Sequence, residues 1–286
     1  MSRVVAVTGA SGYIGGRIAA ALIASGNSVR RLVRTPSGPD DVAFRLGDPV
    51  DLNILRDVDS VIHAAHDFRA FGAEEQRRVN VDGSRLLFDA ARAAGVRRIV
   101  AVSSISAFPG CCSDYGRAKL QLEDLAAKAG GVSVRPGLVY GDGPGGMFGT
   151  LSRLCRLPVL PLPDGGGQPL LLAHADDVCA ALTGALDWDP AVAGGPVTLA
   201  HPEPVSFADI LRAIAACAGR RPLFVPIPAA LMLGGLGAAE AVGLRLPARR
   251  DSLFSLLNPN LAPDFEAARR LGLTFRGFRD WAASNH

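Results

Sequence analysis

Short β-branched runs alternate with longer amphipathic or alanine-rich stretches through the first half of the chain. Val4–Thr8 is followed by Tyr13–Ser25, Ser28–Val33, Ser60–His63, Arg85–Ala94 and Arg98–Val102. That alternation predicts βαβ units in a parallel sheet. After about Gly141 the texture changes, because Pro and Gly clusters at 158–167 and 222–228 separate single elements. A smaller, irregular lobe is expected there. Within it, Leu170–Ala173 followed by His174-Ala175-Asp176-Asp177-Val178 reads as a strand running into an acidic helix start. Ser206 is the expected N-cap of a helix through Ala218 that stops at Gly219, with Asp209 at the capping-box position. Phe265–Gly272 reads as a further helix with arginines in its last turn and a terminal glycine.

Composition narrows the class. With 286 residues, 49% hydrophobic and 20% charged, the chain can bury a sizeable core. Its net charge is only +3 and no like-charge block is long enough for a nucleic-acid footprint, so no nucleic-acid partner is expected. Cys111, Cys112, Cys155, Cys179 and Cys217 are odd in number and lack paired metal-ligand spacing. Reduced thiols in a cytoplasmic protein, and no metal site, are the expectation. The first residues lack the pattern of a secretory signal. The longest uncharged stretch, 222–239, is interrupted by prolines, so no membrane span and no membrane partner are expected.

Thr8-Gly9-Ala10-Ser11-Gly12-Tyr13-Ile14-Gly15 lies between the first predicted strand and the first predicted helix. A turn that presses backbone N–H groups and a helix N-terminus against a pyrophosphate leaves no room for Cβ atoms, which gives these glycines a mechanical purpose. The G-x-x-G-x-x-G spacing differs from the commoner G-x-G-x-x-G. Where a fold preferring NAD places a carboxylate, at the end of the second strand, the chain has Val33 and then Arg34. A guanidinium fork suits a 2′-phosphate, so NADP(H) is favoured over NAD(H). Asp48 is placed to meet the adenine amino group; a turn role would account for it equally.

Tyr115-Gly116-Arg117-Ala118-Lys119 sets one of three tyrosines four residues before one of two lysines, on one helical face. A phenol of pKa ~10 is a poor acid–base group at neutral pH, but an adjacent ammonium favours phenolate. Ile99–Ser104 just upstream ends in hydroxyls at the carboxyl edge of the predicted sheet, where open α/β sheets bind ligands. Ser104 is the candidate that would bond a substrate carbonyl while Tyr115 delivers the proton; Ser103 and Ser106 could take that role.

With these residues in view, the chain resembles the extended branch of the short-chain dehydrogenase/reductase superfamily, the NAD-dependent epimerase/dehydratase family. The resemblance rests on TGASGYIG at 8–15, VIHAA at 61–65, RVNVDGSRLL at 78–87, VSS at 102–104, YGRAK at 115–119, RPGLVYG at 135–141, HADDV at 174–178 and FEAARRLGL at 265–273. It implies a Rossmann-type doubly wound parallel sheet over 1–146 and roughly 170–200, with a substrate lobe from 147–169 and 201–286. It also implies Tyr115 as general acid/base, Lys119 holding the nicotinamide ribose and lowering the phenol's pKa, and Ser104 orienting the substrate carbonyl. The implied cofactor contacts are Gly9, Ser11, Gly12, Tyr13, Ile14, Gly15, Arg34, Asp48, Ala64, Ala65, Tyr115, Lys119, Pro136, Leu138 and Val139. Asn80 is expected to support the central helix or a relay water. The motif at His174 is expected to be a structural joint between lobes, and His66 a pocket-lining group.

Ile105-Ser106 stand where dehydratases of this group carry an Asp-Glu pair, and Leu138 stands where nucleotide-sugar epimerases commonly place asparagine. GNSVRRLVRTP resembles the second strand of dihydroflavonol-reductase-like ketone reductases. The expectation is an NADPH-dependent reductase of a small or hydrophobic carbonyl substrate. A nucleotide-sugar epimerase and a non-catalytic NADP(H) sensor are the alternatives. The helices at 83–94 and 115–127 could form a homodimer face.

Overall fold

A computed structural model describes residues 2–284, apart from 71, 144, 245 and 247. The first apolar runs fold as β1 (Val4–Thr8), β2 (Ser28–Val33), β3 (Asp41–Ala43), β4 (Ser60–His63), β5 (Arg98–Val102) and β6 (Val132–Pro136). Shorter strands follow as β7 (Leu138–Tyr140), β8 (Val159–Pro163), β9 (Pro169–Leu170), β10 (Leu172–His174), β11 (Val197–Leu199), β12 (Val205–Ser206) and β13 (Leu223–Ile227). Between them lie helices α1 (Tyr13–Ala24), α2 (Gly72–Gln76), α3 (Gly83–Ala93), α4 (Asp114–Lys128), α5 (Gly146–Leu154), α6 (Ala175–Gly184) and α7 (Pro190–Ala193). The last are α8 (Phe207–Cys217), α9 (Ala229–Ala241), α10 (Arg250–Leu257), α11 (Glu266–Arg270) and α12 (Phe278–Ser284).

Seven strands form one parallel sheet in the order β11-β6-β5-β4-β1-β2-β3. Strand order reverses between β1 and β4, and the crevice beyond their carboxyl ends is the ligand-binding edge of such a sheet. Ile18 and Leu22 of α1 and Val178 and Leu182 of α6 bury one face. Leu87 and Phe88 of α3 and Leu122 and Ala126 of α4 bury the other. This is the doubly wound α/β architecture that the alternating pattern predicts. A further buried cluster, apart from the two faces of the large sheet, joins Tyr140, Phe148, Leu160, Ile210 and Phe278 and so spans the boundary expected near residue 146. Among the described residues, no helix is long and apolar enough to cross a membrane.

Local chemistry explains most boundaries and two departures. Ser206 Oγ accepts the Asp209 N–H at 3.1 Å, and α8 ends just before Gly219, whose φ is +63°. The strand expected over 170–173 is divided, because β9 pairs antiparallel with β12 whereas β10 pairs parallel with β7. The helix expected over 265–272 is shorter, with α11 closing at Arg270 and Gly272 turning at φ +67°.

Inside the large sheet, Glu123 of α4 is 6% exposed and accepts from Arg135 Nε at 2.7 Å and Nη2 at 2.6 Å. The Ser103 hydroxyl donates to the same carboxylate. Removing one partner of a buried pair leaves the other charge uncompensated, at a cost of about 3–5 kcal/mol. Glu123→Ala is therefore expected to lower the urea midpoint by an amount corresponding to that range at unchanged m-value, with Glu123→Gln losing less.

Candidate active site

The glycine turn is tight enough to exclude side chains. A Cβ on Gly15 would stand 2.2 Å from the Gly9 carbonyl oxygen, and one on Gly9, at φ +68°, would stand 2.9 Å from Ala65 Cα. Gly12 precedes α1 with no side-chain cap, and the helix has no acidic residue in its first turn. The N-terminal N–H groups of a twelve-residue helix are thus left facing outward beside exposed Ser11, a cradle suited to an anion. Tyr13 contributes its backbone to this turn, while its ring packs against Gly143, Gly145 and Gly146 and its hydroxyl donates to the Asp142 carbonyl at 3.0 Å.

A buried chain of hydrogen bonds runs from this turn to the segment after β4. Thr8 Oγ1 accepts the Ala65 N–H at 3.1 Å and lies 2.7 Å from His63 Nδ1; His63 Nε2 lies 2.8 Å from Ser84 Oγ. Because Ser84 spends its proton on the Asn80 carbonyl, Nε2 carries the imidazole hydrogen and Nδ1 accepts from Thr8. Burial, assisted by the nearby Lys119 charge, pushes the His63 pKa down to about 3, so the ring stays neutral. Asn80 lies in a π-helical turn, Arg77–Asp82. Its Oδ1 accepts the Asp67 N–H at 2.7 Å, and its Nδ2 donates to the Asp67 carbonyl at 3.2 Å and to Gln76 Oε1 at 2.6 Å. Asn80 therefore fixes the loop at 67–70 directly.

Three consecutive positions leaving β5 meet three residues one turn apart on α4. Lys119 Nζ donates to the Val102 carbonyl at 2.7 Å, Ser103 reaches Glu123, and the Ser104 hydroxyl lies against that of Tyr115 and acts to lower its pKa. Of the three candidate serines, Ser104 faces the phenol, Ser103 is committed to Glu123, and Ser106 holds Ser104 in place by giving its backbone N–H to Ser104 Oγ at 3.1 Å. Lys119 is only 3% exposed, and desolvation pushes its pKa down to about 8 against the opposing pull of Glu123. Its ammonium stands 5.9 Å from the Tyr115 ring centre. The expected lowering of the phenol's pKa is not what this geometry gives: burial raises it, and the Ser104 hydrogen bond only partly offsets that. The phenol is held as a proton donor.

Two aromatic residues cover it. Phe68 stacks on the Tyr115 ring at 5.7 Å, and His66 meets it edge-on at 5.0 Å. His66 Nε2 is buried without a hydrogen-bond partner among the described residues. Burial holds the His66 pKa well below its usual value. Phe68 itself is 63% exposed. The second lobe reaches the same point: Asp251 of α10 accepts the backbone N–H groups of Asp114 at 2.7 Å and Tyr115 at 3.1 Å, while Ser113 Oγ takes that of Gly116 at 3.0 Å. Three of the orphan amides that open α4 are thereby satisfied.

The remaining predicted residues border this centre. Ala64 and Ala65 back onto Gly9. Pro136 ends β6, and its carbonyl accepts the Ile105 N–H at 3.0 Å; Leu138 and Val139 follow in β7. Arg34, just past β2, points its Nη1 to 3.7 Å from Asp67. Neighbouring Arg31 is turned inward, with Nη2 3.3 Å from the Ala10 carbonyl oxygen and Nε 3.4 Å from Asp41. Asp48 is exposed and pairs with Arg45 at 3.8 Å. His174 accepts the Asp176 N–H at 3.3 Å and Asp177 binds the Arg276 side chain, which ties α6 to the segment before α12. Phe68, Glu123 and Asp251 escaped the sequence reading. Only Glu123 had a local signal, as the third member of the spacing Tyr115, Lys119, Glu123 on one helical face.

The profile of the NAD dependent epimerase/dehydratase family matches residues 5–199, and the chain belongs to that family. Among curated relatives, the ceramide reductase of Caulobacter vibrioides (strain NA1000 / CB15N) is 33% identical over 236 residues, covering 79% of this chain and 74% of that protein. The 4-hydroxy-2-methyl-3-oxo-4-farnesyl-3,4-dihydroquinoline-1-oxide ketoreductase of Stigmatella aurantiaca is 28% identical over 308 aligned positions, covering 94% and 91%. Among solved structures, MoeE5 in complex with UDP-glucuronic acid and NAD superposes with a TM-score of 0.75 at 24% identity, covering 98% of this chain and 96% of that one. That likeness establishes the fold.

Asp251 makes a separable prediction. Asp251→Ala removes the acceptor of two helix-start amides, worth about 1 kcal/mol, and is expected to lower kcat about fivefold with dinucleotide affinity unchanged. Asp251→Asn keeps one of the two acceptor oxygens and sets an amide donor against the other N–H, so it should restore only part of the loss in the same steady-state assay.

Proposed function

We propose that the chain is an NADPH-dependent reductase of a ketone carried on a largely apolar substrate. The observation that carries this reading is the grouping of Tyr115 with Ser104 at the end of β5 and a buried Lys119, whose ammonium stands 5.9 Å from the phenol ring, with burial keeping the phenol protonated. Reduction of a carbonyl needs a proton donor at the oxygen, and Tyr115 is in the form that donates. Ser104 supplies the second hydrogen bond as negative charge develops on that oxygen. The glycine turn and the open start of α1 suit a dinucleotide pyrophosphate, and the nicotinamide, when bound, supplies the hydride. The walls favour apolar material, since exposed Phe68 flanks the phenol. Two relatives are named for substrates with long hydrocarbon parts, a ceramide and a farnesyl-bearing quinoline oxide.

The preference for NADPH follows from charge at the end of β2. Arg31 is occupied with Ala10 and Asp41, which leaves Arg34 as the guanidinium available to a 2′-phosphate. Its partner Asp67 comes from another strand's end and lies 3.7 Å away, a loose contact that a dianion would outcompete.

The decisive experiment follows NADPH oxidation over a panel of hydrophobic and water-soluble ketones. Tyr115→Phe should reduce kcat by at least about a hundredfold while NADPH still raises the melting temperature. The rate should fall as pH rises through about 8, where Lys119 loses its proton. Isomerisation of a UDP-sugar without net NADPH consumption would instead identify an epimerase. For the cofactor, loss of a charge-assisted contact predicts that Arg34→Ser weakens NADPH binding roughly 10- to 100-fold, with NADH affinity changed little in parallel titrations.

A further inference from the structure

The second lobe contains a stretch whose composition and exposure disagree. From 222 to 244 the sequence has a single charged residue, Glu240. A helix apolar on every side belongs in a core or in lipid. Along α9, however, only Ala229 is buried, and Leu231 is 68% exposed. Just beyond the helix, Val242 is 80% exposed and Leu244 stands out beside it. Glu240, half-buried at the end of the helix, is turned back toward the start of α10, where its Oε1 accepts the Arg250 N–H at 3.0 Å.

The ribbon that leads into α9 has the same apolar character and adds positive charge. β13 pairs in parallel with β8, setting Leu223 opposite Val159, and both side chains are exposed together with Leu157. The chain arrives at these strands through Arg156 on one side and Arg220 and Arg221 on the other. All three are exposed, and none has a carboxylate partner among the described residues. No acidic residue occurs from 210 to 239.

This apolar segment is continuous with the candidate active site. β13 passes through Pro228 into α9, whose first N–H is held by Asp164 at 2.8 Å. After α9 the chain reaches Arg249, which donates to the Phe68 carbonyl, and then Asp251, which holds the Tyr115 N–H. One end of the strip is basic, and the other borders the phenol.

We infer that this face, from the Arg156, Arg220 and Arg221 cluster along α9, docks on an anionic bilayer and that the ketone is drawn from that bilayer. Docking is independent of the reductase assignment, whereas the source of the ketone rests on it. Uncompensated arginines beside exposed leucines match phosphate headgroups above an acyl layer. A second copy of the chain would bring the same strip against itself and offer those arginines no carboxylate from this stretch. With 13 residues, α9 is about 20 Å long, short of the ~30 Å hydrocarbon core. It therefore lies along the surface.

The test is flotation of the full-length protein with vesicles of phosphatidylcholine containing phosphatidylglycerol, against vesicles of phosphatidylcholine alone. The protein should float with the anionic vesicles only and be released by high salt. Arg220→Glu combined with Arg221→Glu should reduce the bound fraction by more than about tenfold, as should Leu231→Glu, with melting temperature unchanged. Equal flotation of the charge-reversed variant, or wild-type protein left in solution, would overturn the docking. So would a stable dimer in light scattering that Leu231→Glu dissociates while no vesicles are bound. A long-chain ketone in anionic vesicles should be reduced more slowly by the charge-reversed variant, and a water-soluble ketone equally by both. Equal rates on the vesicle-borne ketone would overturn the proposed source. If neither ketone is reduced while flotation behaves as expected, the reductase reading fails and the docking stands.

Discussion

The registry of α4 against the end of β5 is the constraint on which the candidate site depends. Residues 102, 103 and 104 leave the strand in succession and meet Lys119, Glu123 and Tyr115, which lie one helical turn apart. Each contact has a different physical character. One places an ammonium on a carbonyl, one closes a buried ion pair, and one sets two hydroxyls together. A sliding of the helix by one turn would break all three and leave a buried charge unpaired, a far larger penalty than the loss of any single hydrogen bond. The chemical pair is thus held in place by the same interactions that hold the helix.

Around that fixed centre the molecule places two further contributions. The segment after β4 is tied by Asn80 and Thr8 through neutral groups, and it carries Phe68 and His66 over the phenol. The second lobe reaches in through Asp251 and Arg249. The surroundings of Tyr115 are therefore built from two separate stretches of the chain, one after β4 and one in α10.

Much of this was legible in the sequence because it is encoded by short-range periodicity. The parallel sheet follows from alternating strand and helix lengths, and the Tyr115–Lys119 pair from a spacing of four. Ser206 as a cap of α8 was readable for the same reason. The direction of the phenol's pKa was not, because it depends on Phe68 and His66 closing over the ring, contacts some fifty residues apart in sequence. Asp251 was invisible for a similar reason: a lone aspartate 136 residues from Tyr115 carries no local mark of its partner. The division of the strand at 170–173 depends on which neighbours pair with each half, a tertiary fact that apolar content does not record.

The widened turn over Arg77–Asp82 has a further consequence. A π-helical turn holds more residues than the regular winding on either side, so shortening it by one residue would rotate Asn80 by about 100° about the helix axis. The amide would swing away from Asp67, the Asn80 carbonyl would leave the Ser84 hydroxyl, and the aromatic cover over the phenol would lose its anchor. Helix winding at this one place is therefore coupled, through one amide, to the aromatic cover over a residue on a different helix.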